Sequence, residues 1–517
     1  MLIFGYLFII FNILLLVSDK FRLSDYVEKF LAKLLFLQNI FLGISYFVLA
    51  KNNNIFIYFN KLEIGFSFDN INILYLIMVN IVGLVIYNYS ETYLHGDNNQ
   101  NLFLRNLVNT IISVNIVITF GSLINLMIGW KLVNIYMNKL LRYFDTRPES
   151  IEVSKKRKLY SNISDVILLL SIVMLYIKFK SFNISDILIQ IQNSKHLDVI
   201  NYLIGLGLMI AAFIQAAQFP FNTWILEVME APTPVSAILH AGVINAGPYL
   251  ILRFSYFFEK MPILIVVLII LSSLFASLAA ISSTAQSEIK TALTYSSIAH
   301  MGFSFMLCGM GLYSAALLHS IAHSFYKAHA FLTSGSAVDS FRLAQFGFIP
   351  RPRASYLRTI LGGIMSLTVL WILFFYILRG IDLFQFLILS GIVFFGVSAL
   401  IIRTLNIKLD YVLLYQKLIL YVIVLVFSFY AFEIVFHSLI HNYVPNFVST
   451  KFIKLSTLIA FSIFLITFIF SMSTLHTTKD VNRKWIIWAR NGFYIHLIFD
   501  NFLQKILNFK ANGIDRQ

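Results

Sequence analysis

The stretch FIQAAQFPFNTWILEVMEAPTPVSAILHAG, residues 213–242, consists of two apolar runs separated by a proline-marked break. Pro220 closes the first run, and Pro232 and Pro234 precede the second. Proline lacks a backbone donor and clashes with the preceding turn, so an interrupted helix is expected here. If both runs lie in lipid, the carbonyls freed at the break are tolerable only where protein or a water-lined cavity covers them. Interrupted helices of that kind often build ion sites in membrane transport proteins, whereas a plain turn at the membrane surface would explain the prolines equally well. Two titratable groups flank the break. Glu230 is either part of an ion site or a surface carboxylate favoured by the positive end of the next helix. His240 lies about two turns into that helix.

The rest of the chain places these runs in a membrane. Of 517 residues, 59% are hydrophobic, 16% aromatic and only 12% charged, with a mean hydropathy of +0.81, far from the balance of a soluble domain. Apolar runs of about 18 residues or more recur throughout. The expected fold is an all-α polytopic membrane protein, a bundle of roughly 13–15 transmembrane helices; closed barrels show short alternating segments instead. The spans are expected near 1–18, 30–50, 70–89, 103–122, 124–141, 162–179, 198–219, 233–257, 262–282, 291–311, 313–338, 355–378, 382–403, 412–440 and 452–474. Residues 1–475 form the transmembrane domain in this reading. Residues 476–517, where RKWIIWARNGFYIHLIFDNFLQKIL mixes charge and aromatics at helical spacing, form a cytoplasmic amphipathic segment, against either the membrane surface or a partner. The N-terminal run lacks a cleavage site and is read as the first span. The single cysteine, Cys308, excludes a disulfide framework or a cysteine-built metal site.

A net charge of +15 raises nucleic acid as a partner, but the charges cluster between spans and no nucleic-acid motif occurs. Basic loops fall on one parity: Lys20, Arg22 and Lys29 after the first span, seven Lys/Arg within 139–158 after the fifth, then Arg342, Arg351, Arg353 and Arg358, and the tail 479–516. The positive-inside rule then puts the C-terminus in the cytoplasm and the N-terminus outside.

Chemistry concentrates in LLHSIAHSFYKAHAF, residues 317–331. His319, His323 and Lys327 are spaced four apart, so each step advances about 40° and rises about 6 Å, forming one polar stripe. A charge at mid-membrane costs at least about 2.5 kcal/mol, so the stripe is expected to face the bundle interior or a wet cavity. Histidine titrates near neutral pH, which suits a proton relay. Zinc is a weaker reading, because HSIAH lacks the glutamate of H-E-x-x-H and no third ligand is near. Haem would need facing histidines that sequence cannot pair. His329 falls on another side of the helix and is assigned to packing or to subfamily-specific contacts. A third stretch, STAQSEIKTALTYSSIAHMGF, places Lys290 at a helix start, with Tyr295, Ser296, Ser297 and His300 inside it.

Together QFPFNTW, VMEAPTPVSAILHAG, QSEIKTALTYSSIAHMGF, LLHSIAHSFYKAHAFLTSGSAVD and YSETYLHGD at 89–97 resemble the proton-conducting antiporter-like family, which includes subunit 5 of respiratory complex I and the large subunits of multi-subunit Na+/H+ antiporters. The resemblance covers most of residues 60–340. Within the family the likeness is greatest to the membrane subunits of DAB inorganic-carbon accumulation complexes, on EVMEAPTPVSAILHAGVINAG, AALLHSIAHSFYKAHAFLTSGSAVDS, YFDTRPES with the basic run after it, and NGFYIHLIFD.

The resemblance implies half-channels on broken helices, a Glu/Lys pair and a central His/Lys stripe. His319, His323 and Lys327 match that stripe, His240 the histidine after PTPVSA, Glu230 the acid before it, and Asp165 a recurrent acid. Two positions depart. Lys131, in Gly129-Trp130-Lys131-Leu132, stands where relatives read Trp-Glu-Leu, and Gln215 stands where they carry a lysine. The implied function is translocation of protons or sodium ions in the inner membrane of a bacterium. It would be coupled to hydration of CO2 to bicarbonate by a DabA-like, zinc-containing partner similar to a β-carbonic anhydrase, with no cofactor in this chain. Other readings are a pump subunit of a complex I-like NADH:quinone oxidoreductase or a cation/proton antiporter, and a non-conducting membrane anchor.

Overall fold

In the computed structural model, residues 12, 25–49, 53–59, 62–194, 198–228, 231–335, 390, 391, 394, 396, 398, 411–447, 450–476, 483–495 and 497–501 are described. They form helices α1 (Asp25–Leu49), α2 (Asn70–Tyr93), α3 (Gln100–Ile118), α4 (Leu123–Leu141), α5 (Pro148–Phe179), α6 (Ile184–Asn193) and α7 (Val199–Gln215). Next come α8 (Thr223–Leu226), α9 (Thr233–Ile238), a π turn (Leu239–Val243), α10 (Ala246–Arg253), α11 (Ser255–Glu259), α12 (Pro262–Ala285), α13 (Ile289–Gly309) and α14 (Tyr313–Leu332). The series ends with α15 (Tyr411–Ile440), α16 (Lys451–His476) and α17 (Arg483–Arg490).

Every expected span from 30–50 to 313–338 falls on a helix, as do those at 412–440 and 452–474. Those at 1–18, 355–378 and 382–403 lie almost wholly outside the described residues. By length and composition alone, six described helices can cross a membrane: Asn70–Tyr93, Gln100–Ile118, Pro148–Phe179, Thr233–Arg253, Pro262–Ala285 and Lys451–Ser471. Helices α13 and α14 pack in the same bundle but are less apolar, because they carry the serines, histidines and lysine of the central site.

One element departs from an all-helical reading. Strands β1 (Asn53–Phe59) and β2 (Leu62–Phe68) pair antiparallel, with Asn53 opposite Phe68 and Phe59 opposite Leu62. The hairpin is tied to the bundle where Gly121 N–H donates to Gly65 O at 2.8 Å and Asn125 Nδ2 donates to the same oxygen at 2.9 Å.

Local chemistry sets the helix limits. The side chains of Asp69, Ser122 and Asn183 accept from backbone N–H groups at the starts of α2, α4 and α6, satisfying otherwise orphaned donors. Pro148 and Pro262 open α5 and α12, where a missing N–H costs nothing. Gly311 turns α13 into α14 with φ +76°, and a Cβ there would lie 2.2 Å from the Phe447 ring.

The helices alternate between two faces. On the hairpin face, Asn70 donates to Leu439 O at the end of α15, and Lys178 pairs with Asp198 at 2.8 Å. On the opposite face, Lys33 meets Glu91 at 2.9 Å, Arg105 meets Glu28 at 2.8 Å, and Gln286 donates to Arg490 O at 2.9 Å. The basic run 139–158, α17 and Glu227 of the break, which pairs with Lys156, share this second face, the break face. Thr233–Arg253 is 100% buried over its apolar window, whereas Lys451–Ser471 is 22% buried; the broken span is the centre of the bundle and α16 its rim.

Candidate functional site

The break begins where α7 ends at Gln215. Ala217 takes φ +49° and Gln218 N–H returns to Phe213 O at 2.9 Å. The Gln218 side chain donates to Ala216 O and to Ile298 O, both at 3.1 Å. Carbonyls that proline frees in lipid need such partners. Gln215 itself is buried at the mouth of the break. Glu230 lies outside the described residues.

Past the break, α9 leads into the π turn, and this turn carries His240. A π turn leaves wide-spaced carbonyls, a geometry common at functional sites. Asn245 Nδ2 donates to Ala241 O at 3.0 Å and to Ser324 Oγ on α14 at 2.6 Å, holding the turn open against that helix. The His240 ring stacks on Phe331 at 4.4 Å, its Nε2 is 3.4 Å from Thr294 Oγ1, and its Nδ1 has no partner among the described residues.

Helix α14 presents His319, His323 and Lys327 toward α13. His319 Nε2 lies 3.2 Å from His300 Nδ1. Because a neutral imidazole has one donor and one acceptor nitrogen, the two rings hold complementary tautomers and share one proton. The His323 ring is 4.9 Å from His300 and 6.1 Å from His319, and neither of its nitrogens has a partner among the described residues. Lys327 is fully buried and donates to Leu293 O at 2.9 Å, one residue from Thr294. His329 is exposed. A cavity of about 560 Å³ borders this file at His300 and His319, walled also by Ser296 and Ser283 and by Phe429 and Phe464.

Lys131 and Asp165 meet elsewhere, between α4 and α5. Lys131 Nζ is 2.7 Å from Asp165 Oδ2, and Asn134 Nδ2 donates to Asp165 Oδ1 at 2.7 Å. The buried Arg157 donates to Asn134 O at 3.0 Å and lies over the Trp224 ring at 5.2 Å. Lys156 bridges Glu152 at 3.1 Å and Glu227 at 2.6 Å, binding α5 to the break. The structure thus brings His240, His319, His323 and Lys327 into one group and Lys131 with Asp165 into another, with Gln215 at the break between the packed helices α5, α7 and α10.

His300 was legible only as one polar residue in a helix; its pairing with His319 depends on the antiparallel packing of α13 on α14. Lys156 and Arg157 are legible only as part of a basic loop, because sequence does not reveal that α5 extends to Pro148 and buries one side of that run. Among the described residues no three His, Cys, Asp or Glu side chains converge to hold a metal ion.

Residues 121–347 match the family described as NADH:quinone oxidoreductase/Mrp antiporter, TM, and residues 57–104 match NADH-Ubiquinone oxidoreductase (complex I), chain 5 N-terminus. A probable inorganic carbon transporter subunit DabB2 of Halothiobacillus neapolitanus is 32% identical over 59% of this chain and 56% of that protein. A probable subunit DabB of Hydrogenovibrio crunogenus is 30% identical over 60% and 61%. NADH-ubiquinone oxidoreductase chain 5 of Chondrus crispus is 31% identical over 53% and 43%. The chain therefore spans somewhat over half the length of the DabB relatives it matches. Its fold is shared with a chain of the Mrp complex from a Dietzia species, with a TM-score of 0.67 at 17% identity, over 99% of this chain and 60% of that one.

Proposed function

We propose, from the premise that this multi-span membrane chain carries the core shared by NADH:quinone oxidoreductase and Mrp antiporter subunits, that it is the proton-translocating subunit of an inorganic carbon uptake complex in a bacterial inner membrane. The observation that carries the reading is the file of partly buried His319 and His300 and buried His323, Lys327 and His240, which runs from the cavity to the broken helix. Titratable groups are costly in lipid and are retained where they serve an ion path. A proton passes directly between His319 and His300. The steps to His323, Lys327 and His240 exceed hydrogen-bond length and need bridging water. Sodium would instead require a cluster of oxygen ligands, which this histidine-lined file does not offer, so protons are the favoured cargo.

The break face lies in the cytoplasm in this reading, with α17 and the basic run 139–158 on that side. There the proton current is coupled to a soluble DabA-like, zinc-containing partner that hydrates CO2 to bicarbonate. The zinc is the partner's, and this chain contributes the path by which protons run down their gradient. The likeness to DabB2 and DabB supports this assignment of partner. The likeness to chain 5 of NADH-ubiquinone oxidoreductase supports a second reading, a pump or antiporter subunit, in which the same file serves a redox or cation-exchange complex.

The test is co-purification with a zinc protein of that class, then growth of a carbonic-anhydrase-deficient strain at ambient CO2 carrying both genes. Rescue that uncouplers abolish supports the proposal. An assembled, well-expressed pair that does not rescue overturns it.

A further inference from the structure

Glu433 stands apart from every residue considered so far. It lies on α15, is 7% exposed, and accepts a hydrogen bond from Ser314 Oγ at the start of α14. Its second carboxylate oxygen, Oε2, is buried without a partner among the described residues. A carboxylate so placed in a membrane bundle is expensive, and one serine hydroxyl does not offset that cost.

Its location gives the cost a purpose. Helix α14 runs inward from the hairpin face, and α15 runs out to that face, ending where Leu439 O accepts from Asn70. Phe429, one turn before Glu433 on α15, lines the cavity, as do Ala315 and Leu318 beside and one turn beyond Ser314 on α14. Glu433 therefore lies between the hairpin face and the cavity, and His319 lines the same cavity about 7.5 Å further along α14 than Ser314.

We propose that Glu433 is the proton-carrying group at the hairpin-face end of the path, exchanging protons with His319 and His300 across the cavity. The cavity has room for bridging water, and the imidazoles of His319 and His300 on its wall are the polar partners that such water needs. In each transfer the carboxylic acid O–H bond breaks as an O–H bond to the bridging water forms. That water passes one of its protons to the imidazole, and Glu433 is left as the carboxylate. Ser314 donates to the carboxylate and so holds it after the proton has left.

The inference rests on the proton-translocation reading, and the experiment separates the two. The whole complex is reconstituted in vesicles and pH-driven proton uptake is measured. Absence of flux in the unmodified complex refutes translocation itself. With flux present, Glu433→Gln, which keeps an acceptor for Ser314 but cannot titrate, is expected to lower uptake at least tenfold with unchanged assembly and thermal midpoint. Glu433→Asp is expected to restore at least a third of it. Flux in Glu433→Gln within twofold of the unmodified complex overturns the inference, because a purely structural hydrogen bond survives that change. If Glu433→Gln does not assemble, infrared difference spectra of the unmodified complex and of Glu433→Asp between acid and neutral pH decide. A protonated-carboxyl band that moves in Glu433→Asp supports the inference, and identical spectra overturn it.

Discussion

Lys131→Glu places at one position the residue that the family resemblance leads one to expect there, and the structure says that it should harm the protein. Lys131 Nζ lies 2.7 Å from Asp165 Oδ2, with side chains 44% and 7% exposed. Unit charges about 4 Å apart interact by about 4 kcal/mol at an effective dielectric of 20 and about 1 kcal/mol in water. Because Lys131 is nearly half exposed, the attraction is discounted to about 1–2 kcal/mol. Lys131→Gln loses that attraction but keeps a donor. Lys131→Glu turns it into repulsion of similar size, so the total loss is about 2–4 kcal/mol. Adding Asp165→Asn to Lys131→Glu removes the repulsion and recovers about 1–2 kcal/mol. Adding Asp165→Lys instead recovers less, because a cation at 165 would approach the buried Arg157 by way of their common partner Asn134. The assay is the thermal or denaturant midpoint of the purified protein in detergent, compared as a double-mutant cycle. Equal midpoints for Lys131→Glu and Lys131→Gln would refute the reasoning and mean that Lys131 and Asp165 do not interact in the protein.

Lys327→Met is expected to reduce proton uptake into vesicles at least tenfold while leaving the thermal midpoint unchanged or raised, since an ammonium bonded to one carbonyl is exchanged for an apolar chain. His319→Ala, which removes the partner of His300, is expected to lower uptake several-fold, whereas the exposed His329→Ala should stay within twofold in the same assay. Gly247→Ala puts a Cβ 2.5 Å from Ala212 O and 2.9 Å from Ala216 Cβ, between α10 and α7; a loss of about 1–3 kcal/mol is expected from overpacking, read as a lowered midpoint and yield. Tyr160→Phe removes the bond to Asp500 and should cost about 1 kcal/mol, visible as faster proteolysis of the C-terminal segment.

Much of the bundle was legible because membranes impose a strong rule: a spanning segment must be long, apolar and helical. The spans between 30 and 338 followed from that rule, and the prolines around 220–234 located the break. The β hairpin was not legible, since its strands are short and its docking on the bundle needs Gly65 and Gly121 to approach across the fold. Within the site, the four-residue spacing already put His319, His323 and Lys327 on one stripe.

Residue types and spacing, acting within one helix, thus determined that the chain is a helical membrane bundle with a polar stripe and a broken span. Periodicity is a local property of the backbone, and lipid makes its meaning nearly unambiguous. Tertiary packing alone decided which groups the stripe meets. The antiparallel contact of α13 with α14 brought His300 to His319, the π turn aimed His240 at Thr294, α5 carried Asp165 to Lys131, and α15 delivered Glu433 to Ser314. These pairs join residues 19 to 119 positions apart, and only the way helices pack fixes distances across such separations.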